Sequence, residues 1–224
     1  IKESGTRLVI ENVREFWSED DIHRFIREAS KIVSPYANLN PPFQISVIAP
    51  EFEIKTNAIE SLANTDTATL SLAIGFDKKR NIQESLFFDE ESGRIEKKEI
   101  PVKEFGGISM KLFYFDDNAR RIFRKKYPNN EIDGIKIYRD NVITTPFAER
   151  ENDANKKRDV LGIDKRLWQD IFNKISTREI IGIVDISKQE NPAIIDATNR
   201  QDFNDNDEYR ALKEFIILQI SSIE

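Results

Sequence analysis

The spacing of apolar residues changes repeatedly along the chain, and each change marks an element. Leu8, Val9 and Ile10 follow Thr6 and Arg7 as a short aliphatic run closed by Glu11 and Asn12, which predicts a strand. Ile22, Phe25, Ile26, Ala29, Ile32 and Val33 then recur at helical spacing, opened by a capping signature at Ser18 and Asp21 and stopped by Ser34-Pro35. Phe16 and Trp17, just before this helix, read as core or staple residues. After Pro41-Pro42, Phe43, Ile45 and Val47 alternate with polar neighbours and predict a half-buried strand.

From Thr67 the pattern is strongly β. Leu70, Leu72, Ile74 and Phe76 alternate, Ser85 to Phe88 form a second strand, and the polar stretch 89–93 has hairpin composition, with a returning strand from Arg94 to Ile100. Ile108 to Phe115 predicts another strand, and Asp117-Asn118 cap a short helix that runs through Tyr127 to Pro128. Gly134 to Tyr138 and Val142 to Thr144 flank a hairpin turn at Arg139-Asp140-Asn141. Residues 149–158 are charged and aperiodic, which predicts a loop. Asp164 caps a predicted helix carrying Leu167, Trp168, Ile171, Phe172 and Ile175. Ile180 to Ile186 is a near-continuous apolar run, typical of a strand buried on both faces. Tyr209, Leu212, Phe215, Ile216, Gln219 and Ile220 give a final helix. Strands and helices mix without a repeat, an α+β pattern.

Composition narrows the chemistry. The 224 residues can bury a full core, and the length fits one main domain with an appendage. There is no cysteine and only one histidine, which excludes disulfides, thiolate nucleophiles, cysteine zinc sites and most imidazole schemes. A net charge of -6 and a pI near 5.2 argue against a whole-surface nucleic-acid binder but allow a local basic patch. No apolar run approaches the ~18 residues of a membrane span, and nothing at the amino end reads as a signal peptide, so the expected location is cytoplasmic, with no membrane partner. The strand that begins within a few residues of Ile1 predicts a fragment of a longer protein.

Few side chains are set for chemistry. No G-x-S-x-G, H-E-x-x-H or P-loop sequence occurs, and no metal site is expected. His23 lies off the apolar stripe of its helix and reads as solvated, and Glu60 with Asn64 reads as coincidence. Arg120, Arg121, Arg124 and Lys125, with Lys126, could contact nucleic-acid phosphates; the plainer reading is a solvated basic face. Two element boundaries carry groups suited to anions: Gly5-Thr6, and Asn199-Arg200-Gln201 in the polar turn after the core strand. The bare residues leave two readings open there. Either Arg200 pairs with Asp196 or Asp202 and Thr6 starts a strand, or the guanidinium and hydroxyl meet a phosphate.

Taken as a set, the motifs resemble the GHKL ATPases, the group of gyrase B, Hsp90, MutL and MORC proteins. Gly5-Thr6-Arg7-Leu8-Val9-Ile10 resembles the last strand of their ATPase domain. Gly134-Ile-Lys-Ile-Tyr-Arg139, Asn152-Asp153, Leu161 to Arg166, Ile181-Gly182, Glu190-Asn-Pro192 and Thr198 to Phe203 resemble the transducer of bacterial Hsp90/MORC-like ATP-binding proteins. The resemblance spans most of residues 4–220 and is thin between Ala49 and Glu104. It implies that 1–34 are the end of the ATPase domain with a connecting helix, and that 35–224 are a ribosomal S5 domain 2-like transducer, a mixed sheet with helices on one face. Arg200 would then be the catalytic contact to the ATP γ-phosphate, with Thr6, Asn199 and Gln201 as nucleotide-binding residues. The chain departs from the family in lacking a matched Glu/Asn helix, a D-x-G-x-G and a glycine-rich lid, and in carrying extra residues between Asp153 and Val160. ATP and Mg²⁺ are therefore expected only in the full-length parent, a homodimeric ATP hydrolase working with its own upstream ATPase domain. The fragment alone is expected to be inactive. The alternative is a scaffold or DNA-binding module built on the basic helix.

Overall fold

The computed structural model describes residues 15–30, 32, 45–55, 64–79, 82–89, 93–99, 104–128, 130–132, 134–148, 159–168, 174–197 and 203–224. The predicted strand at 8–10 and the charged stretch 149–158 lie outside them. The described elements are α1 (Glu19–Ser30), β1 (Ile48–Ala49), a 3-10 turn (Pro50–Phe52), β2 (Ile54–Lys55), β3 (Leu70–Asp77), β4 (Ile82–Asp89), β5 (Gly93–Glu99) and β6 (Ile108–Tyr114). They continue with α2 (Asp117–Lys126), β7 (Gly134–Arg139), β8 (Val142–Ala148), α3 (Ile163–Arg166), β9 (Ile180–Ile186) and α4 (Asp207–Ser221).

Seven of these strands form one sheet in the order β5-β4-β3-β6-β9-β7-β8. Neighbours are antiparallel except β7 and β9, so the sheet is mixed and the fold is α+β, as the pattern predicts. The apolar run of β9 lies between β6 and β7, and all six residues of β7 are buried as well. Gly182 makes the central position accessible: a Cβ there would lie 2.6 Å from Ile135 Cγ1 and 3.0 Å from Leu112 Cδ2. The β7–β8 turn places Asp140 and Asn141 at φ of 51° and 68°, a conformation Asn and Asp tolerate better than most residues.

Side chains alternate across a strand, so each face collects its own set. Leu72, Ile74, Met110, Leu112, Ile135, Ile137, Val184 and Ile186 share one face, in a cluster with Tyr209, Leu212, Phe215, Ile216 and Ile220 of α4. Each such large side chain contributes about 1.5–3 kcal/mol on burial. Phe113 and Ile181 point the other way and pack with Ala119 and Phe123 of α2. Helices therefore cover both faces, which corrects the expectation of helices on one face: the apolar stripe of α2 matches the odd-numbered residues of β6 and β9.

Four local expectations also change. The cap of α2 is Asp116, whose Oδ1 accepts the Ala119 N–H at 2.8 Å, and not Asp117-Asn118. Residues 45–47 form no strand, because Pro50 begins a 3-10 turn and Glu53 takes a φ of 55°, leaving only the two-residue pair β1 and β2. Asp164 does not cap α3. Asp159 accepts the N–H groups of Ile163 (2.7 Å) and Asp164 (2.9 Å), while Asp164 accepts the amide (2.8 Å) and hydroxyl (2.7 Å) of Thr177. The helix ends at Arg166, Trp168 is exposed, and 169–173 lie outside the described residues. Phe16 and Trp17 are exposed rather than core, with Trp17 meeting the exposed Phe25 edge-on at 5.9 Å. The Ser18–Asp21 capping signature does form, through reciprocal bonds of 3.0 and 3.3 Å.

Candidate functional site

The connection from β9 to α4 carries the residues proposed for anion contact, and its base is tied from several directions. Asn191 is buried: its Oδ1 accepts the Gly106 N–H at 2.7 Å and its Nδ2 donates to the Gly107 carbonyl at 2.9 Å. Only glycine fits at position 106, since a Cβ would run into the Glu190 carbonyl. Asn206 acts twice. Its Oδ1 caps α4 by accepting the Tyr209 N–H at 2.9 Å, and its Nδ2 donates to the Ala193 carbonyl at 2.7 Å. The Asn204 amide donates to Ile195 (2.8 Å), and Asp196 and Phe203 form an antiparallel bridge. Phe203 is buried against Tyr209, with ring centroids 5.3 Å apart, and Ile194 is buried in the main core.

A charged contact closes the base. Arg139, at the end of β7, is 7% exposed, and its Nη1 lies 3.3 Å from Asp196 Oδ1. The turn after it is fixed to β9: the Asp140 amide donates to Ile186 (3.0 Å), and Asp140 Oδ1 accepts the Lys188 N–H (3.1 Å). Between the bridged Asp196 and Phe203, positions 198–202 lie outside the described residues, and so do Asn199, Arg200 and Gln201 themselves. Thr6 lies outside them too.

The basic helix divides by role. Arg120 turns back to Asp117 and to Glu179 (3.4 Å), and Lys126 pairs with Asp66, which also accepts the Tyr127 hydroxyl at 2.7 Å. The Lys126 and Tyr127 hydrogen bonds hold the Asp66 carboxyl below the usual carboxylate range. Arg121, Arg124 and Lys125 are exposed and form no ion pair among the described residues. They recur at i, i+3 and i+4, one stripe on the helix surface.

Comparison with protein-family models, curated proteins and solved structures finds no match.

An open cavity of about 400 Å³ beside α3 is lined by Asp159 to Gly162, Lys165 and Arg166, but the Asp159 carboxylate already accepts backbone amides. Among the described residues no group of His, Asp and Glu is set to hold a metal, and no helix is long and apolar enough to cross a membrane. His23 is exposed, 3.8 Å from Glu19. In the sequence, Arg139 and Asn191 stand out only as members of wider motifs, with no role of their own, and Asn206 belongs to none. Only Asn206 carried a local signal, an N-cap residue before an acidic first turn.

Proposed function

We propose that this chain is the transducer of a GHKL-type ATPase, of ribosomal S5 domain 2-like form, preceded in 1–34 by the end of the ATPase domain. It works in a homodimer, and its own upstream domain binds ATP and Mg²⁺. The observation that carries this reading is the base of the β9–α4 connection: a short polar tip containing Asn199-Arg200-Gln201 departs from two points fixed by Arg139, Asn206 and the buried Phe203. A fixed base suits a charge that must meet a reacting group in one geometry.

Arg200 donates to the γ-phosphate oxygens and stabilises the charge that spreads over them during transfer to water. Asn199 and Gln201 orient the tip or add donors, and Thr6 contributes from the ATPase side. Loss of the phosphate removes the partner of Arg200, and the freed connection passes the change to α4. In the full-length protein, Arg200→Ala should lower ATP turnover by about 10²–10³-fold while nucleotide affinity changes far less. Unchanged turnover would sink the assignment.

A second reading rests on the exposed stripe of Arg121, Arg124 and Lys125, three cations without a carboxylate partner among the described residues on a chain of net charge -6. On this reading they contact nucleic-acid phosphates. Duplex DNA binding at low salt should weaken as salt rises, with a log–log slope reduced by roughly one per cation reversed to Glu. No binding at low salt would remove the reading.

A further inference from the structure

Contiguous large apolar side chains left bare on a folded surface mark a place where something else packs. The approach to α1 carries such a patch. Phe16 is wholly exposed, and Trp17 and Phe25 stay 47% and 45% exposed although their rings meet edge-on at 5.9 Å. That pairing sets both rings in one arrangement, so a partner that covers them costs little side-chain freedom. The chain around them is acidic: 15–21 hold Glu15, Glu19, Asp20 and Asp21 and no cation. Asp21 is engaged by Ser18 (3.0 Å) and Arg24 (3.7 Å), and Glu19 lies 3.8 Å from His23. Glu15 and Asp20 are exposed and form no ion pair among the described residues.

The outer surface of α2 is the counterpart. Arg121, Arg124 and Lys125 form an exposed stripe without ion pairs among the described residues, and next to it Ile122 is 48% exposed. Cations beside an apolar side chain thus match carboxylates beside aromatic rings. A guanidinium can stack on an aromatic face while its N–H groups donate to a carboxylate, which suits Arg121 and Arg124 to this surface. Among the described residues no ion pair joins α1 to α2, so both surfaces are open to another molecule.

We propose that the aromatic, acidic end of α1 docks on the basic stripe of α2 in a second copy of this chain. The contact goes beyond the ATPase reading and does not depend on it, and it gives Arg121, Arg124 and Lys125 a protein partner in place of nucleic acid. Each copy offers both surfaces, so copies pair reciprocally or add head to tail. A contact of a few rings and charges lies at the weak end of specific interfaces, and added salt weakens it further.

The test is self-association of the full chain at low salt, followed by sedimentation velocity from micromolar to millimolar protein. Wild type should associate as its concentration rises. Arg121→Glu with Arg124→Glu should weaken association by about tenfold or more, and so should Glu15→Lys with Asp20→Lys. Trp17→Ala should weaken it by about tenfold with no change of charge, which separates ring burial from general attraction between opposite charges. An equal mixture of the two charge-reversed proteins should associate again, because one keeps the acidic end of α1 and the other keeps the basic stripe. The substituted side chains are all exposed, and a far-ultraviolet circular dichroism spectrum matching wild type shows that each variant is folded. A wild type that stays monomeric overturns the proposal. So does a monomer that binds duplex DNA through the stripe, since those cations then belong to nucleic acid. Association untouched by the reversals, or a mixture as monomeric as its two parts, overturns it equally.

Discussion

The two ends of α4 are held by different chemistry. At its start, Asn206 and, one connection earlier, Asn191 bond to backbone groups at 2.7–2.9 Å, and these neutral amides neither titrate nor respond to salt. Past its last turn, Glu224 is clasped by Arg166 and by Lys174 (2.8 Å), with the Ile175 amide at 3.2 Å. The neutral amide ties at the start of α4 do not vary with solution conditions, though Arg210 also pairs there with Asp205 (2.8 Å) and Asp207 (3.1 Å); the charged clasp at the far end does vary.

The sharpest way to break this contrast is Asn191→Ala, which strands the Gly106 N–H and the Gly107 carbonyl in a buried site. Chemical denaturation should show a loss of about 3 kcal/mol, independent of salt. Asn206→Ala removes a cap and a bond to Ala193 and should cost roughly 1–2 kcal/mol, again with little salt dependence. At the other end, Glu224→Gln keeps an acceptor but removes the charge facing Arg166 and Lys174 from a side chain only 4% exposed, and should cost about 1.5–3 kcal/mol at neutral pH.

The clasp also carries a pH signature. Burial pushes the Glu224 carboxyl up, but the hydrogen bonds from Lys174 and Ile175 and the Arg166 charge outweigh it and hold the group below its ordinary value. A depressed folded pKa gives stability that is present above the ordinary carboxylate pKa of about 4.3 and is lost as pH falls through the folded value. Wild type should therefore lose its advantage over Glu224→Gln as acid is added below that point. An advantage that remains undiminished as pH falls through the depressed folded value would show that the clasp does not act through its charge.

Local pattern carried the elements that bury a regular stripe. The run of β9 and the spacing of α4 read correctly because every residue in those stripes faces the core, as Tyr209, Leu212, Phe215, Ile216, Gln219 and Ile220 do. Even the polar Gln219 follows the stripe, accepting from Gln83 Nε2 at 3.1 Å. The helix expected from Asp164 is present as α3, but its start is set differently: Gly162 at φ 68° and Asp159 open it, Asp164 is taken by Thr177, and 169–173 lie outside the described residues. The ties at the base of the tip were illegible for a distant one. Asn191 meets Gly106 across 85 positions, and Arg139 at the end of a hairpin strand looks solvent-bound until Asp196 arrives beside it. Arg200 itself was singled out by resemblance and by its polar turn, and neither depends on those contacts.

The central place of β9 sets an order of assembly. The four strands β3 to β6, in which β6 crosses back past β4 and β5 to pair with β3, and the hairpin of β7 and β8 can each form before β9, which joins them and is the last of the described strands to leave the ribosome. Until it arrives, β6 and β7 each present an unpaired edge, and α4, which covers the joined face, follows later still. The fold is consequently one of high contact order, closed late and in a single step, and its nascent chain depends on not meeting a foreign strand first.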